Sequence, residues 1–170
     1  SVQDRLFVVT LENVHHVLRM YDLNGNLISK IRLPTFGTTI GLSGEAEGNE
    51  VFFGFTSFLI PFQVYRFDLT KNHLELLNEL KIKMDPNKFA VQQVWYQSKD
   101  RTKVPMFLIH KKGIRRNGKN PALIYGYGGF NASILPRFQS TIVPFLELGG
   151  MYAIANIRGG GEFGEKWHNG

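Results

Sequence analysis

Two stretches of this chain repeat each other 46 residues apart. Leu6-Phe7-Val8-Val9-Thr10 aligns with Phe52-Phe53-Gly54-Phe55-Thr56, and Tyr21-Asp22-Leu23 aligns at the same offset with Phe67-Asp68-Leu69. In each copy the Asp-Leu pair precedes a turn, Asn24-Gly25-Asn26 in one and Thr70-Lys71-Asn72-His73 in the other, and an apolar strand follows. A period near 45 residues with about four strands per unit is the signature of propeller blades, small sheets that bury their faces only by stacking on their neighbours. Two such units cannot close a ring. Coincidental spacing in an all-β domain is the competing reading. Within the first copy, Leu6-Phe7-Val8-Val9, Val17 to Leu23 and Leu27 to Leu33 read as a meander with an Asn-Gly hairpin turn.

The pattern changes near Lys83. Met84-Asp85-Pro86-Asn87-Lys88 is a polar link, after which Val91 to Gln97 and Val104 to His110 read as a hairpin around Ser98 to Thr102. Ala122 to Tyr125 and Met151 to Ile157 are short strands of the buried type. Between them, Ser140 to Leu148 carries apolar residues on one side of a helix, with Pro144 tolerable only in its first turn. Strand, helix, strand in so few residues implies a right-handed crossover and a parallel pair. The expected fold is therefore mixed, with residues 1–82 forming about two blades of a partial propeller and residues 83–170 forming part of an α/β domain.

Composition removes several classes of function. There is no cysteine, which excludes a thiol nucleophile, a disulfide framework and a zinc–thiolate site, and fits a reducing compartment. No apolar run approaches the roughly 20 residues of a membrane helix. Ser1 to Arg5 read neither as a signal peptide nor as a start, and the end at Gly170 has no capping signal, so the chain is expected to be a segment of a longer one. Part of the net charge of +6 sits in Lys111, Lys112, Arg115, Arg116 and Lys119. Gly113 and Gly118 interrupt this cluster and no aromatic is interleaved to stack on bases, so it reads as a solvated loop and not as a nucleic-acid surface.

Chemistry is concentrated at Tyr125-Gly126-Tyr127-Gly128-Gly129-Phe130-Asn131, which ends an apolar strand in a glycine-rich turn. Glycines can adopt φ > 0 and let backbone N–H groups face a ligand, and in α/β-hydrolases one oxyanion donor comes from the loop after the third strand. A tight turn without chemistry is the bland alternative. Such an enzyme needs a Gly-x-Ser-x-Gly elbow for its nucleophile. None of the seven serines supplies one, the nearest approach being Gly41-Leu42-Ser43-Gly44-Glu45 in the blade-like half. Gly159-Gly160-Gly161-Glu162-Phe163-Gly164 fits Gly-x-Gly-x-x-Gly after a strand, but the residues that follow offer little apolar helix face, so dinucleotide binding is the weaker rival. His15 and His16, adjacent on a strand, point to opposite faces and cannot share a metal ion. His168 has no serine or carboxylate motif placed to pair with it.

The glycine turn, with Ala155-Asn156-Ile157-Arg158-Gly159-Gly160-Gly161-Glu162-Phe163-Gly164-Glu165-Lys166-Trp167-His168, closely resembles the prolyl oligopeptidase family of serine peptidases. The likeness extends to Ser98-Lys99-Asp100, Val104-Pro105-Met106-Phe107, His110-Lys111-Lys112-Gly113 and Phe55-Thr56-Ser57-Phe58. It implies that residues 1–82 are the last blades of that family's propeller and that residues 83–170 open its α/β-hydrolase domain. By motif, Tyr127 resembles the family's oxyanion tyrosine and Phe130 an aromatic wall of the pocket for the substrate proline. Arg101, at a turn position where the family commonly has glycine, and Phe163, where tyrosine is frequent, are departures.

The resemblance implies a cytoplasmic serine endopeptidase that cleaves short proline-containing peptides after proline, without metal or cofactor, its propeller restricting access to large substrates. The serine, aspartate and histidine would lie beyond Gly170, so the piece itself is expected to be inactive. A non-catalytic interaction module or pseudo-enzyme is the alternative from another class.

Overall fold

A computed structural model of the chain describes residues 1–115 and 117–170, so that Arg116 of the basic cluster lies outside the described residues. The chain divides into two compact units, Ser1–Lys81 with Pro136–Phe138, and Ile82–Leu135 with Gln139–Gly170.

The first unit holds two antiparallel sheets. One contains β1 (Arg5–Glu12), β2 (His15–Asp22) and β3 (Leu27–Ile31); the other contains β4 (Gly37–Ser43), β5 (Glu50–Ser57), β6 (Gln63–Asp68) and β7 (His73–Glu79), each in sequence order. The 46-residue repeat maps β1 onto β5, β2 onto β6 and β3 onto β7; among the described residues the first sheet has no strand in the place of β4. The repeated aspartate has the same local task in both sheets. Asp22 Oδ1 accepts from the N–H groups of Asn24 (2.9 Å) and Asn26 (2.8 Å), and Asp68 Oδ1 accepts from that of Lys71 (3.0 Å). Each carboxylate thus occupies turn N–H groups that no ladder partner reaches.

Alternation along these strands sends one row of apolar side chains inward. Leu18, Met20 and Ile31 of one sheet meet Val51, Phe53, Phe55, Tyr65 and Phe67 of the other in a single buried cluster. Phe7 meets Phe67 edge to face, with centroids 6.1 Å apart, which ties β1 of the first repeat to β6 of the second. Gly37 leaves the space the Phe55 ring fills, since a Cβ there would fall 2.1 Å from it.

The second unit is built on β8 (Phe89–Gln97), β9 (Lys103–Lys111), β10 (Ala122–Gly126) and β11 (Met151–Ala155), in the order β10-β11-β9-β8. The β8–β9 and β9–β11 pairs are antiparallel, and β10–β11 is parallel, with Ala122 opposite Met151 and Gly126 opposite Ala155. Parallel pairing of β10 and β11 is what their short crossover implies, but β10, expected as a strand of the buried type, is an exposed edge strand of this sheet. The crossover is less helical than its one-sided pattern suggests: a 3₁₀ turn at Ser140–Ile142 leads into α1 (Val143–Glu147), with Pro144 in the first turn. Gly149, at φ +93°, stops it. β11 also ends two residues before the expected Ile157: the Asn156 N–H still donates to the carbonyl of its β9 neighbour Pro105 (3.0 Å), but Pro105 has no N–H to return and the ladder stops there. Phe107, Ile109, Leu146, Tyr152, Ile154 and Trp167 are buried, the last from α2 (Glu165–His168), whereas β10 is exposed along its length. No helix among the described residues is long and apolar enough to cross a membrane.

Candidate active site

The turn Tyr127–Asn131 leaves the C-terminal end of β10, the usual position for ligand-facing loops in a sheet with parallel strands. Two non-glycine residues in succession, Phe130 at φ +54° and Asn131 at φ +55°, adopt the left-handed conformation. Asparagine tolerates it; phenylalanine does so at a cost of about 1 kcal/mol or more. The surroundings hold it there. Asn131 N–H donates to the Gly159 carbonyl (3.2 Å) and Ala132 N–H to the Gly129 carbonyl (3.0 Å). The outcome is a Phe130 ring that is 93% exposed at the apex of the turn. Tyr127 is 38% exposed, and its hydroxyl lies 3.4 Å from where a Cβ on Gly129 would stand, so the phenol folds back across its own turn.

The second glycine run lies directly against the first. A Cβ on Gly159 would fall 2.5 Å from the Gly128 carbonyl oxygen, one on Gly160 2.8 Å from that of Ala132, and one on Gly161 2.5 Å from that of Asn131. All three glycines thus serve a backbone-to-backbone approach that any side chain would block. This differs from the dinucleotide reading of Gly159–Gly164: the glycines face protein carbonyls instead of opening a phosphate cradle, and α2 has only four residues.

Beneath the turn sits a buried polar pair. Asn156 is fully buried and Glu162 is 5% exposed. Glu162 Oε1 accepts from the Ile134 N–H (2.9 Å) and from Asn156 Nδ2 (3.3 Å), while Asn156 Nδ2 also donates to the Ile134 carbonyl (2.8 Å). At the entrance to the run, Arg158 pairs with Asp100 of the β8–β9 turn at 2.6 Å. Asp100 is held below the usual carboxylate range, chiefly by the Thr102 N–H and further by Arg158. Neither Asn156 nor Glu162 stands out in the sequence reading; the signal available for them was polar residues bracketing a glycine run directly after a buried strand.

The other candidates fall elsewhere. His168 Nδ1 lies 2.9 Å from the Gly159 carbonyl and donates to it, the same carbonyl that receives Asn131 N–H, so its task is structural. His16 Nδ1 accepts from the Thr39 N–H (3.0 Å), and burial pushes its pKa down. His15 packs edge-on against Phe36. No group of three potential metal ligands occurs among the described residues. Ser43 closes β4 and has no elbow geometry around it. In the basic loop, Lys111 Nζ donates to the Glu147 carbonyl (2.5 Å).

Residues 1–80 match the family model described as the prolyl oligopeptidase N-terminal beta-propeller domain. The chain is 38% identical over 163 residues to a prolyl endopeptidase of Elizabethkingia meningoseptica, an alignment that takes in 96% of this chain and 23% of the relative. It is 40% identical over 172 residues to prolyl oligopeptidase A of Amanita bisporigera, covering 98% of this chain and 22% of that one. The chain therefore spans about a quarter of the length of the relatives it matches. Among solved structures, a chain from a study of two prolyl endopeptidases superposes with a TM-score of 0.88 at 40% identity, covering 99% of this chain and 25% of its own. Prolyl oligopeptidase B from Galerina marginata, bound to a 35mer hydrolysis and macrocyclization substrate, superposes with a TM-score of 0.89 at 32% identity, covering 100% and 24%. With its blade-like sheets and paired glycine runs aligned along nearly its whole length to such proteins, the chain belongs to the prolyl oligopeptidase family.

Proposed function

We propose that this chain is part of a serine endopeptidase that hydrolyses short peptides on the C-terminal side of proline, with residues 83–170 forming the opening of its α/β-hydrolase domain. In this reading the nucleophile, acid and base lie outside residues 1–170, and the piece alone hydrolyses nothing. The parallel β10–β11 pair with a glycine turn at the end of β10 supports the domain assignment. The absence of cysteine accords with work in the reducing cytoplasm.

Tyr127 is assigned as an oxyanion donor. When a serine hydroxyl adds to the scissile carbonyl, its proton passes to a general base and negative charge gathers on the former carbonyl oxygen. A neutral phenol remains a donor at pH 7 and can bond to that oxygen more strongly than to the ground-state carbonyl. Phe130 is assigned to the proline pocket. A flat apolar ring suits a pyrrolidine, which has no N–H to satisfy.

The observation that carries the reading is the Phe130 ring, held exposed by a left-handed backbone that a phenylalanine does not choose. A matched pair of chromogenic peptides, with proline or alanine before the scissile bond, tests it in the full-length protein. The expected result is cleavage of the proline peptide, with a preference that shrinks in Phe130→Ala through a raised KM. Equal cleavage of both peptides would overturn it.

A further inference from the structure

Glu162 is a carboxylate with one oxygen engaged and the other buried without a hydrogen-bond partner. No salt bridge among the described residues involves it, and the Oδ1 of its neighbour Asn156 is likewise buried and unpartnered. Burying such a group is costly and is ordinarily avoided. Its carboxylate also needs Gly160, since a Cβ there would fall 2.2 Å from Oε2. The arrangement does one definite thing. Both peptide groups of Ile134 are taken by buried side chains, the N–H by Glu162 and the carbonyl by Asn156, three residues past the strained Phe130–Asn131 step.

We propose that Glu162, with Asn156 as its partner, is a positioning residue for the Tyr127–Asn131 turn. The segment that leaves the turn is fastened at two points, Asn131 to the Gly159 carbonyl and Ile134 to the Asn156–Glu162 pair. Between those points Ala132 and Asn131 rest on Gly160 and Gly161. Two consecutive left-handed residues relax toward an ordinary conformation if one fastening is released, and the Tyr127 hydroxyl moves with them. A donor displaced by even about 1 Å loses most of its advantage at a developing oxyanion. Glu162 therefore acts through the turn and touches no substrate. The inference rests on the oxyanion role assigned to Tyr127.

The test uses the full-length protein that carries this chain. Measured on a proline-containing chromogenic peptide, with enzyme concentration fixed by active-site titration, Glu162→Ala lowers kcat by roughly tenfold or more and, because Phe130 shares the turn, raises KM as well. Glu162→Gln keeps an acceptor for Ile134 and Asn156 and recovers most of the loss. The double variant Tyr127→Phe/Glu162→Ala is no slower than Tyr127→Phe alone, because the donor that Glu162 places is already gone. Amide hydrogen exchange across residues 127–134 speeds up in Glu162→Ala and is restored in Glu162→Gln. A residue that only stabilises the fold would instead lower the titrated concentration and leave kcat per active site unchanged. Additive losses in the double variant, or unchanged exchange across 127–134, would overturn the inference. If Tyr127→Phe alone leaves kcat intact, the oxyanion assignment fails, while the exchange result still decides whether Glu162 holds the turn.

Discussion

Gly128 and Gly159 approach each other so closely that neither has room for a methyl group: a Cβ on Gly159 would fall 2.5 Å from the Gly128 carbonyl oxygen, and one on Gly128 2.0 Å from the carbonyl oxygen of Arg158. The two glycine runs, separated by about thirty residues of sequence, form one backbone unit. Gly128→Ala must push the turn away from its platform, and Gly159→Ala adds the strain of a methyl group at φ +96°. Each variant is expected to lower the stability of the full-length protein by about 1–3 kcal/mol in urea titrations and to reduce kcat at least tenfold. Full stability and full activity in both would show that the runs do not work as a unit.

Acid should weaken the first unit in two stages. His16 has its pKa lowered by burial, so the unfolded chain binds a proton more readily, and stability is lost as pH falls through the ordinary value of 6.5. Glu12 is held down at about 2 by hydrogen bonds from Arg19 and Thr10, and Asp22 and Asp68 lie below 3.8 through bonds in their turns. These carboxylates support folding above their unfolded pKa values, and that support is lost from about pH 4.5 downward. Urea midpoints measured from pH 8 to pH 2 check this: His16→Asn removes the upper stage and Glu12→Gln shrinks the lower one.

Arg101 closes the β8–β9 hairpin at φ +68°, with its N–H bonded to the Ser98 carbonyl at 2.9 Å. Its side chain is exposed, so little is lost by removing it. Arg101→Gly relieves the left-handed strain and is expected to raise stability by about 0.5–1 kcal/mol in thermal unfolding. Destabilisation by the same variant would show that the arginine side chain contributes a contact of its own.

The sequence carried most of the strand pattern of the first unit, because alternation and turn chemistry are local signals and the 46-residue offset registers two sheets at once. It carried β10 and β11 for a similar reason, and the turn between β10 and the crossover through its glycines. It carried the crossover helix less well. Ser140 to Leu148 has a helical apolar pattern, yet Pro144 has no N–H to give the Ser140 carbonyl, so Ser140–Ile142 form a 3₁₀ turn and only about one turn of α-helix is left before Gly149. The Asn156–Glu162 pair was not legible, because its partner is the backbone of Ile134, and no residue type at position 134 announces which side chain will take its N–H. The purpose of Gly159 to Gly161 was hidden in the same way. A glycine run states that a backbone comes close without saying whether the visitor is a phosphate or another stretch of the same chain.

The most direct measurement is kcat of full-length Tyr127→Phe on a proline-containing chromogenic peptide. The substitution removes one hydroxyl from an exposed turn and leaves the ring. Loss of a single oxyanion donor is expected to lower kcat by about a hundredfold or more, roughly 3 kcal/mol, with KM nearly unchanged. A kcat equal to that of the unsubstituted protein would contradict the assignment of Tyr127 and, with it, the role given to the glycine turn.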